Sequence, residues 1–473
     1  MTPPAPSSFS AIVEAGSFRD RHGRIYYIGD LVYRGISAQA LREWEMLAAT
    51  SFFKQLLQEG KIVRTERVEP AQRPGAAGLQ EWAGVLRHDR IPFVSYPYEW
   101  PFGMLKDAAL LQLEILERAL DEEMTLKDAS SFNIQWFGAQ PVFIDIPSFE
   151  KLVPNTPWLG YRQFCKLYLY PLFLQAYKDV AFHSWLRGCL DGIDPEEMNR
   201  LMSKRDLFRP GVFMDVYMQA RLQAKFAGSN RAVKDDLRRS GFRKEFIKGN
   251  IRRLTKILSS LTWERSTSPW SHYSEQNTYT NTDSDRKEAF VRKAVSAVPR
   301  NLVWDIGCNT GRFSRIAAEH ARYVIAMDSD HVVVESLYRK LGRENNRTIL
   351  PLVMDIADAS PNLGWNGLER KALPERGKPD LTLCLALIHH IVISANIPTQ
   401  DFLGWLASLG GDLVIEFVTK DDPMVKVLLK NKEDQYGEYT RENFERCLAD
   451  FYSIQSVEAV SSKSRYMYHA RRA

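Results

Sequence analysis

Residues 303–328, VWDIGCNTGRFSRIAAEHARYVIAMD, constrain what this chain can fold into more than any other stretch. An apolar run ends near Asp305, a turn carries Gly307, Asn309 and Gly311, a short amphipathic segment follows, and a second apolar run ends in Asp328. That order predicts strand, glycine turn, short helix and strand, which is half of a nucleoside-binding α/β unit. The glycines let the backbone turn tightly and pass close to a ligand. Asp328, 17 residues after Gly311, is placed to accept both hydroxyls of a ribose. The spacing D-x-G-x-N-x-G lacks the third glycine that opens a helix to a pyrophosphate, and the leading Asp305 points to a cationic ligand group instead.

Further strands extend the unit. Residues 349–356, ILPLVMDI, end in Asp355 and Ile356; residues 380–390, DLTLCLALIHH, run from a buried strand into a His-His turn; residues 410–420, GGDLVIEFVTK, supply a fifth strand. Strands alternating with helical stretches predict a mostly parallel sheet with helices on both faces and ligands at the carboxyl ends of the strands, where Asp305, Asp328 and Asp355 all fall. Over residues 285–473 the chain resembles the class I S-adenosylmethionine-dependent methyltransferases, with a Rossmann-like sheet. The resemblance implies that Gly307 and Gly311 border the methionine moiety together with Cys308 and Asn309. It further implies that Asp305 lies near the ammonium, Asp328 and Ser329 near the ribose, and Asp355 and Ile356 near the adenine. The resemblance also implies that Leu385 belongs to the segment that closes the pocket beneath the methyl donor.

The first half reads as short β pieces, FRDRHGRIYYIGD and LVYRGIS, a helical stretch over about 38–60, strands in KIVRTERVE and IPFVSYPYEW, and a long helix in LKDAALLQLEILERALDEEM. In TLKDASSFNIQWFGAQPVFIDIPSFE, Asp128 precedes Asn133 by five residues and a hairpin turning at Gly138 leads to Asp145 twelve residues after Asn133. This order resembles the catalytic segment of protein kinases and aminoglycoside-kinase-like enzymes. It implies an N-terminal α+β kinase-like domain with a helical lobe, where Asn133 and Asp145 would hold Mg²⁺ beside ATP and Asp128 would accept a hydroxyl proton. The chain departs from the kinase pattern in lacking the G-x-G-x-x-G loop and the V-A-I-K lysine, and IDI stands where D-F-G is expected, so the resemblance is to a degenerate member. The competing reading is that Asp128 and Asn133 cap turns of an ordinary hairpin. Residues 157–180 are dense in aromatics, among them Trp158, Phe164, Tyr168 and Phe173, which predicts core packing in a helical lobe.

Length and composition bound the rest. A chain of 473 residues is too long for one ordinary domain. The expected division is an accessory domain over 1–230, a basic helix with a linker or lid over 231–284, and a catalytic domain over 285–473. Its 45% hydrophobic and 26% charged residues are those of an ordinary globular protein. Cys165, Cys189, Cys308, Cys384 and Cys447 have no C-x-x-C spacing, which argues against a zinc site or a disulfide framework and for a reducing cytoplasm. No signal-peptide pattern and no run of eighteen apolar residues appears, so no membrane span is expected. Between Arg200 and Lys256 stand 16 Lys and Arg against 5 Asp and Glu, within a chain of net charge +5. Lys244, Lys248, Arg252 and Lys256 recur every fourth residue beside an apolar face of Ile247, Ile251, Leu254 and Leu258. This basic amphipathic helix either presents a solvated or domain-packing face or meets phosphate groups. No nucleic-acid motif accompanies it, which argues against a nucleic-acid partner. In the linker, Trp270, Tyr273 and Tyr279 are candidate anchors of a lid.

The longer segments YPYEWPFGMLKDAALLQLEILERAL, TLKDASSFNIQWF, DIGCNTGRFS, LALIHH and IEFV together resemble a two-domain bacterial methyltransferase family that includes nodulation-associated methyltransferases. Methyl transfer requires positioning and exclusion of water, and a base only where the acceptor loses a proton. His389 or His390, after the fourth strand, and Glu416, at the end of the fifth, are the candidates. The strand-four turn carries no N-P-P-Y or D-P-P-Y segment and no Pro-Cys nucleophile, which turns the expectation from nucleobases toward an oxygen or nitrogen acceptor on a small molecule, saccharide or protein. Two rival classes stand beside this one: an N-terminal phosphotransferase or nucleotide sensor, and a pseudoenzyme that binds S-adenosylmethionine and acts through a partner.

Overall fold

The structure is a computed structural model that describes residues 11–75, 78–226, 243–265, 281–430, 435–460 and 464–473. Trp270, Tyr273 and Tyr279 of the expected lid lie outside the described residues. The chain forms two compact units: unit 1 comprises Met1–Trp136, Pro141–Glu264 and Leu363–Arg370, and unit 2 comprises Phe137–Gln140, Arg265–Asn362 and Lys371–Ala473. Among the described residues no helix is long and apolar enough to cross a membrane, and no group of His, Cys, Asp and Glu side chains converges as a metal site.

Unit 1 begins with an antiparallel sheet of β1 (Ile12–Val13), β2 (Gly23–Ile28), β3 (Leu31–Ile36), β4 (Thr65–Arg67) and β5 (Gly84–His88), in the order β1-β2-β3-β5-β4. Gly29, at φ +57°, turns β2 into β3. The helical stretch after β3 is two helices, α1 (Ala38–Ala49) and α2 (Ser51–Gln58), because Thr50 adopts an extended backbone between them. The expected strand over IPFVSYPYEW does not form; β5 precedes it, and residues 97–99 make a single tight helical turn. Pro92 and Pro97 lack the N–H groups that a central ladder needs.

Helix α3 (Phe102–Asp121) buries Leu111, Leu113, Ile115, Leu116 and Leu120, the side its sequence pattern marked. Short strands β6 (Met124–Leu126), β7 (Ile134–Phe137), β8 (Gln140–Phe143) and β9 (Phe149–Lys151) follow, with Gly138 at φ +60° in the β7–β8 turn. Beyond them the aromatic segment is core: Trp158, Phe164, Tyr168, Tyr170 and Phe173 are buried.

The basic helix, α4 (Lys244–Ser260), belongs to unit 1 and buries Ile247, Ile251, Leu254 and Leu258. Its charged side lies along α3. Lys244 pairs with Glu123 just beyond the end of α3, Lys248 with Asp121, and Arg252 Nε with Glu117 at 3.0 Å. Three of the four cations at four-residue spacing therefore meet a matching acidic row within unit 1.

Unit 2 is a doubly wound α/β layer. Its seven strands are β10 (Arg300–Ile306), β11 (Ala321–Asp328), β12 (Ile349–Val353), β13 (Leu381–Cys384), β14 (Asp412–Val418), β15 (Tyr452–Ala459) and β16 (Arg465–Arg472). They stand in the order β12-β11-β10-β13-β14-β16-β15; β16 pairs antiparallel with β14 and β15, and the other pairs are parallel. Val303, Trp304, Val324, Ile325, Leu350, Leu383 and Val414 are buried, as strands covered on both faces require. The order reverses at β10, between β11 on one side and β13 on the other, and the carboxyl ends there form the crevice in which such sheets bind ligands.

Candidate functional site

The turn after β10 is built by three residues with positive φ: Gly307 at +77°, Asn309 at +48° and Gly311 at +80°. The amides of Gly307 and Cys308 both donate to the Met327 carbonyl, at 2.8 and 3.0 Å, which ties the turn to β11. Gly311 opens helix α5 (Arg312–Ala318), and a Cβ there would lie 2.5 Å from Leu337 Cδ1, so close packing as well as φ demands glycine. At the end of β11, Asp328 accepts the Asn309 amide at 2.8 Å and the Asp330 amide at 2.9 Å, one on each carboxylate oxygen. The Ser329 amide also favours this carboxylate, whose four lone-pair sites still leave room for a further donor.

These elements surround a cavity of about 380 Å³, within the range of small-ligand pockets. Of the residues singled out from sequence, Gly307, Asn309, Asp328, Ser329, Asp355, Ile356, Leu385 and His390 line it. Asp305, Cys308 and Gly311 are not in its wall; they shape the turn from behind. Asp305 is buried and accepts the Ser314 hydroxyl at 2.5 Å. Burial pushes its carboxyl up to about 6, with Ser314 opposing and the Asp328 charge adding to the rise. Burial likewise raises Asp328 to about 6, against the backbone amides that favour its ionised form. Two carboxyls so perturbed at a strand end favour a ligand that brings positive charge. Asp355 caps the following turn through the Ala357 amide at 2.9 Å.

The opposite wall comes from the segment after β13. Ala386 adopts φ +51°, a left-handed conformation disfavoured for a residue with a Cβ, and residues His390–Ser394 form a π-helical turn. Leu387, Ile391, Ser394 and Ala395 line the pocket alongside His390 and were not singled out from sequence. Their signal was the spacing of 387, 391 and 395, one helical face continuing past the His-His pair. Burial holds His390 down to about 4, and Arg465 adds to that effect.

The two histidines separate in role. His389 is fully buried outside the wall, with neither ring nitrogen hydrogen-bonded among the described residues, and burial holds it neutral well below the usual imidazole range. Glu416 does not line the pocket either. It is fully buried, 2.6 Å from Lys287 Nζ and 3.7 Å from Arg465 Nη1, while Arg465 Nε grips Asp422 at 2.7 Å. In this structure the Glu416 carboxylate is charge-paired with two buried cations. Cys384, also buried, has its thiol pushed up by burial, which makes it inert.

In unit 1 the residues expected for ATP and Mg²⁺ do not form a fitting donor set. Asp145 faces the Arg34 guanidinium at 3.7 Å, and Arg34 also reaches Asp20 at 3.4 Å. Burial raises the Asp145 carboxyl, Arg34 opposes this, and the charge of Asp128 adds to it. The Asn133 carbonyl accepts the Ile144 amide at 2.9 Å, and its side-chain Nδ2 is buried without a hydrogen-bond partner among the described residues. A fixed organic cation thus stands beside the carboxylate that would hold the metal, and no phosphotransfer step follows from this site.

Over 461 residues the chain is 31% identical to the nodulation protein NoeA of Rhizobium meliloti (strain 1021), covering 97% of this chain and 96% of that one. The chain belongs to the NoeA family. No family model matches it. Solved structures similar to this NoeA-family chain include the N-methyltransferase NodS from Bradyrhizobium japonicum WM9, at 12% identity and a TM-score of 0.30, over 41% of this chain and 97% of that one. Magnesium protoporphyrin IX methyltransferase (ChlM) from Synechocystis PCC 6803, with bound S-adenosylhomocysteine, matches at 18% identity and a TM-score of 0.30, over 43% of this chain and 92% of that one.

Proposed function

We propose that this chain is an S-adenosylmethionine-dependent methyltransferase whose donor pocket is the cavity at the ends of β10, β11, β12 and β13. One observation carries the reading: where the strand order reverses, Asp328 lines a crevice whose wall also includes Asp355 and the apolar Ile306, Met354, Ile356 and Leu385, with the buried Asp305 carboxyl behind the same turn. The residues fit the cofactor. Asp305 would balance its ammonium from behind the turn, and Asp328 would accept the ribose hydroxyls with the lone pairs its backbone amides leave open. Asp355 would face the adenine amino group, and Ile356 and Leu385 would supply apolar contact to the ring and the donor. When bound, the cofactor supplies an electrophilic methyl carbon.

The chain's own work is then positional. The strained Ala386 turn and the π turn behind it fix Leu387, Ile391 and His390 against the crevice, where they exclude water and orient the acceptor. His390, held neutral at that end of the crevice, is the candidate group to take a proton from a hydroxyl or an amine as the methyl arrives. The acceptor is an oxygen or nitrogen on a small molecule, saccharide or protein.

Calorimetric titration of S-adenosylmethionine into the full chain tests the reading, with Asp328→Ala as the partner experiment. Saturation at one site per chain, weakened by about tenfold or more when the carboxylate that bonds the ribose is removed, is the expected result. Absence of heat with both the cofactor and its demethylated product would refute it.

A further inference from the structure

One stretch of unit 1 turns both apolar and cationic side chains outward. Phe208 is 90% exposed, Met214 57% and Phe213 47%. Single exposed apolar residues are ordinary, but three large ones within seven residues of chain form a patch that calls for a partner.

The loop that carries Phe208 is braced from behind. Asp206 accepts the Ser203 amide and hydroxyl, each at 2.7 Å, Lys178 Nζ at 2.9 Å and Arg209 Nε at 3.1 Å. Tyr177 donates its hydroxyl to the Pro210 carbonyl at 3.0 Å, and the Arg209 guanidinium lies 4.9 Å from the centroid of the Tyr177 ring. Gly211, at φ +85°, ends the loop where a Cβ would lie 2.6 Å from Phe173 Cζ. Phe173, Tyr177 and Lys178 all belong to the helix Tyr170–Lys178, so the loop is tied to one rigid element and cannot fold Phe208 inward without breaking these bonds.

The charges on the same stretch are one-sided. Between Met202 and Leu222 stand Lys204, Arg205, Arg209 and Arg221 against Asp206 and Asp215. Both acids are buried, and Asp215 is held by Arg253 Nη1 at 2.7 Å as Asp206 is by Lys178. All four cations are exposed, and Lys204 and Arg205 have no acidic partner among the described residues. Cationic and apolar groups interleave: Arg221 lies 5.1 Å from the centroid of Tyr217, which stacks with Phe213 at 5.7 Å. A polyanion such as a nucleic acid would match the charge, but the flexible, non-planar Met214 offers a base no stacking surface. An anionic bilayer takes both kinds of group, with apolar side chains at the acyl boundary and Lys and Arg among the phosphates.

We infer that residues 203–214 are a docking surface for an anionic lipid bilayer, in which Phe208, Phe213 and Met214 enter the headgroup boundary and Lys204, Arg205 and Arg209 meet lipid phosphates. The surface lies wholly within unit 1 and is independent of the donor-pocket reading.

Flotation of the full chain with phosphatidylcholine vesicles, with and without phosphatidylglycerol, tests this. Wild type should float with the vesicles that contain phosphatidylglycerol and stay behind with phosphatidylcholine alone. Lys204→Ala with Arg205→Ala should lower vesicle affinity by about tenfold or more. Phe208→Ser with Met214→Ser should lower it by about tenfold with every charge still in place. Because these side chains are exposed, both double variants should unfold at the wild-type temperature, which separates lost docking from lost folding. A wild-type chain that floats with neither vesicle, or equally with both, overturns the inference. Flotation weakened only by the charge variant also overturns it, since that result describes a site for a polyanion rather than a bilayer. Flotation that neither variant weakens places lipid contact outside residues 203–214 and overturns the assignment.

Discussion

Asp305→Asn isolates the electrostatic demand of the site. The wild-type carboxyl is buried, and its rise from the ordinary 3.8 to about 6 corresponds to about 3 kcal/mol favouring the protonated form in the folded chain. Because the folded value lies above the unfolded one, the folded state binds the extra proton between those values. Wild-type stability is therefore lost as pH rises through the window from about 4 to about 6, and the loss is complete above it. The asparagine variant has no such titration. Whatever its amide gains or loses in packing and hydrogen bonding is the same at every pH and cancels in the comparison. Relative to wild type, the variant should thus gain about 2–3 kcal/mol on moving from pH 4 to pH 7. Urea unfolding followed by hydrogen exchange of β10 peptides reads unit 2 by itself. In the same variant, cofactor affinity should fall by about tenfold at pH 7, the order expected when one opposite charge near a bound cation is removed. A stability difference that stays flat between pH 4 and 7 would refute the assignment of a costly buried carboxyl. Unchanged cofactor affinity would refute its role toward the ammonium.

Gly311→Ala should destabilise unit 2 by about 1–3 kcal/mol, since the added Cβ meets Leu337 and the φ of +80° disfavours it; thermal unfolding with and without cofactor checks this. Lys287→Met leaves Glu416 beside a single, more distant cation and should lose about 3–5 kcal/mol. The double variant Lys287→Met with Glu416→Leu should recover much of that, a pattern read by a double-mutant cycle of urea unfolding. Replacing Lys244, Lys248 and Arg252 together by Ala should lower stability by roughly 1–3 kcal/mol in all, since each exposed pair contributes little. Gel-shift titration with DNA and RNA should show no difference from wild type, because these cations are committed to α3 and its flank.

How much was legible follows from how local each feature is. The turn at Asp305-Gly307-Asn309-Gly311 and the carboxylate at Asp328 are dictated by residues close in sequence, and strand periodicity carries Asp355 and Leu385 to the same edge. The Pro residues at 92 and 97 broke a strand that hydrophobicity alone suggested. The acidic row Glu117 and Asp121 was present at the same four-residue spacing as the basic one, but only packing of α4 on α3 set them face to face.

The sequence by itself determined the parallel strands, the glycine-bearing turn after β10 and the carboxylates at the strand ends, because backbone geometry and side-chain period are local properties of the chain. Tertiary structure alone decided which of two adjacent histidines reaches the pocket, that Glu416 is held by Lys287 from 129 residues away, and that Leu363–Arg370 group with unit 1. Those outcomes depend on burial and on pairing between distant segments, where desolvation selects partners that no local pattern records.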